Sequence, residues 1–279
     1  MKLQLGLWAT TPDFDGAKFP IKVLTGSLED VARRAVSLGY DGLEFMPDPV
    51  NPPDPERMRK ALERAGATLL VVNSGRMGSR DLALLGKDRN LRQRSLNAFK
   101  NLIDFGAYLK KRVCIGAECR GRENPGETPE ETQKITEDIF RELVEYAEKT
   151  KTVIMLEPTP FEHGYIQTVS EAVDWVKRIN SPYFNLHFDV QIHRKMEPSL
   201  EFAIRAGEGR PNHIHLYEEN HWPPGLLARE KSTDWGLVAR LLRESGFNGS
   251  GAVPLPEGDV EADARRAAEF LRRLFSDAD

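Results

Sequence analysis

The sequence contains little cysteine and no long apolar run. Only two of its 279 residues are cysteines, and the spacing of Cys114 and Cys119 fits neither a CxxC motif nor a disulfide framework. We therefore expect two buried free thiols and a cytoplasmic location. No stretch approaches the roughly 18 apolar residues of a membrane span, and the apolar start at residues 3–8 is too short for a signal peptide. The sequence thus predicts no membrane partner.

Positive charge is scarce as well. Lys and Arg total 39 against 43 Asp and Glu, which gives a net charge of -4 and an isoelectric point near 6.0. A chain of this charge has no overall positive field to hold a polyanion, so we expect no nucleic-acid partner. We interpret the basic runs at residues 89–94 and 110–112 as solvated helix faces and helix ends, where cations suit the helix dipole.

The remaining composition is typical of a globular protein. Hydrophobic residues make up 40% and charged residues 29%, with a mean hydropathy of -0.48, which excludes disordered and collagen-like classes. Short β-rich runs alternate with longer amphipathic segments from end to end. The predicted strands are residues 3–8, 42–45, 68–73, 113–117, 153–156, 185–188, 213–216 and 251–255. The predicted helices are residues 27–38, 55–65, 91–109, 129–150, 169–179, 198–206, 234–245 and 260–275.

Eight strands, each followed by a helix, predict a closed (β/α)8 TIM barrel. Parallel strands need crossover connections, and closure leaves no exposed edge. We interpret residues 1–279 as one such domain. An open doubly wound sheet is the alternative, but the first strand leads from Trp8 into a long loop and lacks the GxGxxG turn of dinucleotide-binding sheets. In a barrel, functional groups lie at the carboxyl ends of the strands.

Acidic and imidazole side chains stand at those predicted strand ends. The fifth strand ends in Glu157, the sixth in Asp189, and the seventh holds His215. Glu44 and Glu118 end the second and fourth strands. A carboxylate that closes an apolar strand is costly to desolvate unless a cation or a donor compensates it. We therefore interpret Glu157, Asp189 and His215 as ligands of one divalent metal, a donor set that favours Mn, Mg or Co and tolerates Zn.

The histidines are concentrated in the second half of the chain. All six follow the fifth predicted strand. Alternation along a strand places His213 on the same side as His215, and His187 on the same side as Asp189. We interpret His187 and His213 as a deeper layer beneath the metal ligands or as structural residues. For Glu44 we expect a salt bridge, with substrate contact as the alternative.

These patterns resemble the xylose isomerase-like barrels, the sugar phosphate isomerase/epimerase superfamily. The resemblance spans nearly the whole chain and includes residues 27–29 (SLE), 38–44 (LGYDGLE) and 156–158 (LEP). Locally the chain is similar to ketose 3-epimerases of the tagatose and psicose type. Residues 215–225 match the H-x-x-E-x-N motif of these enzymes and the P-G that follows it, and residues 234–235 (DW) open the next helix as they do there.

The resemblance implies a metal-dependent sugar isomerase or epimerase that abstracts a proton beside a carbonyl and forms an enediolate. Glu157, Asp189 and His215 correspond to three of the family's four metal ligands, and Glu157 is also an acid/base group. The proton is expected to return through substrate oxygens or through His193. The candidate substrate contacts are Glu162, His193, Glu218, Asn220, His221 and Trp8. The expected partner is a small sugar, and a homodimer is an open alternative to the monomer.

One position departs from the family pattern. The family closes its eighth strand with a Glu that is both the fourth metal ligand and the second acid/base group, whereas this chain has Pro254. Glu257 and Asp259 lie just downstream as candidate replacements. A single base still supports aldose–ketose isomerisation or elimination of water. The alternatives are therefore a dehydratase or lyase of the same fold, or a barrel that keeps a sugar cavity without catalysis.

Overall fold

Eight parallel strands close into a barrel in the computed structural model, which describes residues 3–16, 22–121, 124, 126–159, 164–217, 233–255 and 260–276. The strands are Gln4–Thr10 (β1), Leu24–Thr25 (β2), Gly42–Met46 (β3), Thr68–Asn73 (β4), Arg112–Ile115 (β5), Ile154–Leu156 (β6), Phe184–Asp189 (β7), Pro211–His215 (β8) and Ser250–Val253 (β9). β1 and β3 to β9 pair in chain order, and β9 pairs with β1. The short β2 only adds to the end of β1. The predicted TIM barrel is confirmed.

Helices follow the barrel strands. They are Leu28–Ser37 (α1), Pro55–Ala65 (α2), Arg76–Ser79 (α3), Arg89–Tyr108 (α4), Ala117–Arg120 (α5), Pro129–Thr150 (α6), Val169–Ile179 (α7), Val190–Met196 (α8), Leu200–Ala206 (α9), Trp235–Glu244 (α10) and Val260–Phe275 (α11). The eight predicted helices are all present, while β2, α3, α5 and α8 were not predicted. None of the described helices is both long enough and apolar enough to cross a lipid bilayer.

Helix α6 begins at the residue that sequence chemistry favours. The hydroxyl of Thr128 accepts a hydrogen bond from the Glu131 N–H at 3.2 Å, and the Glu131 carboxylate accepts one from the Thr128 N–H at 2.8 Å. Pro129 occupies the first helical turn, where its missing N–H costs nothing. This reciprocal cap satisfies two N–H groups at the start of the helix, and it explains why the predicted start was correct.

The fourth barrel strand, β5, ends earlier than predicted. It stops at Ile115, and the following residues form the one-turn helix α5, so Glu118 does not close a strand as expected. The N–H of Gly116 donates to the Ser74 hydroxyl at 3.2 Å, and the N–H of Arg120 donates to the Gly116 carbonyl at 3.0 Å. These two bonds take the backbone out of the strand ladder and into a helical turn.

Most buried apolar side chains form one large cluster that includes residues of both the strands and the helices. A smaller cluster consists of Leu70, Val71, Cys114 and Met155. Cys114 and Cys119 are both buried free thiols, as predicted. The buried residues also include the polar side chains of Glu44, His187 and His213, which have no exposed surface. Buried polar groups of this kind need hydrogen-bond partners, and these partners define the site.

Gly42 tolerates no side chain, because β3 and β4 approach each other closely beside it. A Cβ atom at Gly42 would overlap the backbone carbonyl oxygen of Thr68, its partner in the sheet. We expect Gly42→Ala to lower the free energy of unfolding by about 3 kcal/mol, measured by urea denaturation. Gly236→Ala in α10 is the control: a Cβ there lies 3.4 Å from Asp234 Oδ1, an ordinary contact, so its stability should not fall. Equal stability of the two variants would contradict this packing argument.

Candidate metal centre and active site

Three predicted metal ligands meet at the carboxyl ends of consecutive strands. Glu157 follows β6, Asp189 ends β7, and His215 ends β8 in register with Asp189. His215 Nδ1 lies 3.1 Å from Asp189 Oδ2 and 3.3 Å from Glu157 Oε1. Glu157 is 7% exposed, and the other two residues are 1% exposed. The three donor atoms lie within 4.8 Å of one another, so these residues could hold one metal ion.

The unpredicted helix α8 fixes the orientation of Asp189. Asp189 is the residue that caps this helix, and its Oδ1 accepts a hydrogen bond from the Ile192 N–H at 2.8 Å. The second oxygen, Oδ2, is left facing His215. One carboxylate therefore stabilises a helix start with one oxygen and presents the other to the site.

Arg120 holds the backbone at Glu157. Its side chain is fully buried. The guanidinium donates to the Glu157 carbonyl, to the Thr159 carbonyl at 3.2 Å and to the Tyr165 carbonyl at 2.6 Å. Burial lowers the pKa of Arg120 to about 10, although the negative charge of Glu157 opposes this effect. The Glu157 N–H also donates to the Ile115 carbonyl at 3.0 Å. Sequence reasoning missed Arg120, because bonds to backbone carbonyls leave no residue pattern.

Glu44 reaches the same site from β3. Its carboxylate accepts from His213 Nε2 at 2.7 Å, from His215 Nε2 at 3.1 Å and from the Asn73 amide. Burial alone would raise the pKa of Glu44, but the imidazoles of His215 and His213 outweigh it and hold the pKa well below its usual range. The expected salt bridge of Glu44 is thus present with His215, whose pKa is raised, while burial lowers the pKa of His213, which donates to Glu44 as a neutral imidazole.

The pKa values of Glu157 and His215 are both raised, but for different reasons. Burial raises the pKa of Glu157, and the neighbouring His215 only partly offsets this. Burial would lower the pKa of His215, but Glu44, Asp189 and Glu157 raise it well above the usual value. Three carboxylates therefore surround a single imidazole, an arrangement that favours an additional positive charge between them.

Beneath the three ligands lies a second buried layer, as predicted for His187 and His213. His187 Nδ1 is 3.2 Å from Cys114 Sγ and 3.4 Å from Glu157 Oε1, and His213 Nδ1 is 2.7 Å from the Ser250 hydroxyl. Burial, aided by the other imidazoles, lowers the pKa of His187 well below its usual value. Burial also raises the pKa of the Cys114 thiol. This layer is therefore a neutral support for the charged groups above it.

His193 and Trp8 lie beside the cluster. The ring of His193 packs 4.4 Å from the Phe188 ring, and neither of its nitrogens has a hydrogen-bond partner among the described residues. Burial lowers the pKa of His193 to about 4, so it is neutral at pH 7. The Trp8 ring lies edge-on to His215 with centroids 4.4 Å apart. Trp8 lies within β1 and His193 lies on the unpredicted helix α8, and their contact with substrate stays a prediction.

The match of residues 32–274 to the family model described as "Xylose isomerase-like TIM barrel" decides the family. The chain belongs to the xylose isomerase-like TIM barrel family. The resemblance drawn from residues 27–29, 38–44 and 156–158 is therefore confirmed.

Several relatives of this family member are named as sugar epimerases. D-psicose 3-epimerase from Enterocloster bolteae is 29% identical over 159 residues, which cover 49% of this chain and 52% of that protein. The chain thus spans about half the length of that relative. L-ribulose-5-phosphate 3-epimerase UlaE from Shigella flexneri is 22% identical over 266 residues, covering 88% and 89% of the two chains. The solved structure of 3-keto-D-glucoside 4-epimerase YcjR from E. coli matches this chain with a TM-score of 0.76 at 19% identity. The match covers 98% of this chain and 99% of that one, so the two share a fold. These names agree with the expected isomerase class.

Several candidate residues of this barrel fall outside the part of the chain that the structure describes. They are Glu162, Glu218, Asn220 and His221 among the substrate contacts, and Glu257 and Asp259 downstream of β9. Their roles remain predictions. Pro254 is described: it follows β9 directly and is buried. Among the described residues from β9 to residue 255, none carries a carboxylate.

Proposed function

We propose that the protein is a divalent-metal-dependent sugar isomerase or epimerase that acts on a ketose or a keto-sugar derivative. The observation that carries the proposal is the convergence of Glu157 and Asp189 on His215 Nδ1, at 3.3 and 3.1 Å, at the carboxyl ends of three consecutive strands. The relatives are named as epimerases of D-psicose, L-ribulose 5-phosphate and 3-keto-D-glucosides, which supports chemistry at a carbon next to a carbonyl.

The residues present fit a divalent cation. Two carboxylates and one imidazole form an oxygen-rich donor set that suits Mn, Mg or Co and tolerates Zn. Glu157 and Asp189 are nearly buried, and a cation between them would compensate the cost of removing two negative charges from water. When bound, such an ion supplies Lewis-acid polarisation of a substrate carbonyl. We therefore assign Glu157, Asp189 and His215 as its ligands.

Glu157 is the candidate base. Its Oε1 faces His215 and His187, whereas its Oε2 has no hydrogen bond to a described residue. The C–H bond next to the substrate carbonyl breaks, the proton moves to Oε2, and the electron pair moves into the carbonyl to form an enediolate. The neutral ring of His193, whose nitrogens have no partner in the described ranges, is the candidate relay for proton return. One nitrogen takes the proton of a substrate hydroxyl, which becomes the new carbonyl, while the other N–H gives its proton to the enediolate carbon. The low exposure of the cluster limits competition from water.

The end of β9 favours chemistry with one carboxylate base. Epimerisation by two opposed carboxylates needs one on each face of the sugar, and Pro254 can neither accept nor donate a proton. Aldose–ketose isomerisation or elimination of water needs only Glu157 and a route for proton return. A dehydratase or lyase is therefore the second candidate, and turnover of a keto-sugar panel followed by product analysis distinguishes it from an isomerase.

Metal content tests the proposal directly. We expect the dialysed wild-type protein to carry about one divalent ion per chain by elemental analysis, because three donors already converge. Asp189→Asn should lose that ion, since the amide removes a charge and a ligand oxygen. Asp138→Asn, an exposed change on α6, should keep it.

Pro254→Glu completes the metal experiment. It restores the carboxylate that the family has at this position, and metal retention should stay equal to or above that of the wild type. If metal appears only in Pro254→Glu, the natural chain does not hold an ion and the metal-dependent proposal is wrong. Solvent-deuterium exchange into a ketohexose panel then decides between metal-independent chemistry and a barrel that binds sugars without turnover.

A further inference from the structure

A cavity opens at the end of the barrel opposite the metal centre. Residues at the starts of strands line it, including Gln4 of β1, Arg112 of β5 and Ser250 of β9, together with the turn at residues 150–153 before β6. Its volume is about 860 Å³. Cavities of about 300–1,000 Å³ are typical of small-molecule sites. A (β/α)8 barrel can close without a cavity at the amino ends of its strands.

The described lining residues give this cavity a positive charge with no acidic residue among them. Four of its lining residues are cations, namely Lys110, Lys111, Arg112 and Lys151, and none of the described lining residues is Asp or Glu. The chain as a whole carries a net charge of -4, so this grouping runs against its overall composition. The Lys111 ammonium donates to the Thr68 hydroxyl at 3.3 Å. Within the described ranges none of the four cations forms an ion pair.

Two of the cations are half-buried, which makes the missing counter-charge costly. Burial lowers the pKa of both Lys111 and Arg112, and for Lys111 the adjacent charge of Arg112 lowers it further. The fully buried Arg120 shows the usual solution in this protein, because its guanidinium donates to three backbone carbonyls. Lys111 and Arg112 have no comparable set of acceptors among the described residues. A bound anion would supply the missing compensation.

The other two cations stand on neighbouring turns in an unusual backbone conformation. Lys110 follows α4 with a φ of 56° and Lys151 follows α6 with a φ of 55°, both in the left-handed region that favours glycine. Cations suit the C-terminal ends of helices, and this effect accounts for a positive charge on each turn. It does not account for Arg112, which is half-buried at the first position of a strand.

We propose that this cavity binds a small, multiply charged anion of the diphosphate or phosphate-ester class. Its concave shape and volume fit a small molecule, and the negative charge of the whole chain disfavours a long polyanion. Lys111 and Arg112 contact the anion from the inside, while Lys110 and Lys151 close over it from the rim. The site lies at the end of the barrel opposite the metal centre.

Calorimetric titration with inorganic diphosphate at about 0.1 M salt tests this site. We expect one binding event with a dissociation constant below about 1 mM for the wild type. The double variant Lys111→Gln/Arg112→Gln should bind at least about 10-fold more weakly, because two charge-assisted contacts are lost. If it does not fold by circular dichroism, the exposed pair Lys110→Gln/Lys151→Gln replaces it and should also weaken binding.

Two control variants test whether diphosphate binds in this cavity and not elsewhere on the protein. Arg57→Gln/Lys60→Gln removes the same charge from the exposed face of α2 and should bind diphosphate like the wild type. Asp189→Asn alters the metal centre and should also leave diphosphate binding unchanged. The proposal is overturned if the wild type shows no binding up to about 10 mM, if the α2 control weakens binding as much as the cavity variant, or if Asp189→Asn abolishes it.

Discussion

Glu157→Gln is expected to abolish turnover, with a loss of at least about 1,000-fold. The amide cannot accept a proton, and it also replaces one of the two carboxylates that face His215 Nδ1. The backbone at this position should stay in place, because Arg120 and Ile115 bond to main-chain atoms of Glu157 and not to its carboxylate. Solvent-deuterium exchange at the substrate carbon beside the carbonyl is the direct measurement, since it reports proton removal separately from product release.

A matched variant shows whether the loss is specific. Glu145→Gln makes the same chemical change at an exposed position on α6, where the carboxylate forms an ion pair with Lys149. It should exchange deuterium at the wild-type rate. Both variants should give the wild-type circular dichroism spectrum and similar thermal midpoints. Residual exchange by Glu157→Gln above about one thousandth of the wild-type rate would show that another group removes the proton.

Local chemistry made most of the fold predictable. The capping pair of Thr128 and Glu131 marked the start of α6, and Gly66, with a φ of 66°, marked the end of α2. The missed elements depend on contacts that local pattern does not report. β2 has two residues and exists through pairing with Ala9 and Thr10. Helix α8 begins at Val190 and is capped by Asp189. The position of Asp189 at a strand end indicated a metal ligand and gave no sign of its second role as a helix cap. The single-domain boundary at residues 1–279 stays a prediction.

The candidate site, like the fold, could be predicted only in part from the sequence. Glu157, Asp189 and His215 could be found because each stands at the end of an apolar strand, and the barrel rule brings consecutive strand ends together. The role of Glu44 could not be found, because its partners His213 and His215 lie 169 and 171 residues away and across the barrel interior. Sequence periodicity indicates which side of a strand faces inward, but not which inward residues touch.

Glu44→Gln is expected to weaken metal binding by about 10- to 100-fold. Glu44 accepts from Nε2 of His215, so the opposite nitrogen, Nδ1, faces Glu157 and Asp189. Three donors, from His213, His215 and the Asn73 amide, converge on the Glu44 carboxylate. A glutamine offers one oxygen and turns an NH2 group toward them, so at least one donor loses its partner. Glu44 would thus act as a positioning residue, because it bonds to His215 and is not one of the three assigned ligands.

The same change should lower the free energy of unfolding by about 3 kcal/mol, because it uncouples a buried charged pair. Ser250→Ala is the control that separates the effect on stability from the effect on metal affinity. It removes a hydroxyl that bonds to His213 Nδ1 and not to His215. This control should lose about 1 kcal/mol of stability and keep wild-type metal affinity. Metal titration and urea denaturation of both variants measure the two effects. If Ser250→Ala weakens the metal site as much as Glu44→Gln does, Glu44 supports the barrel interior in general and does not orient His215.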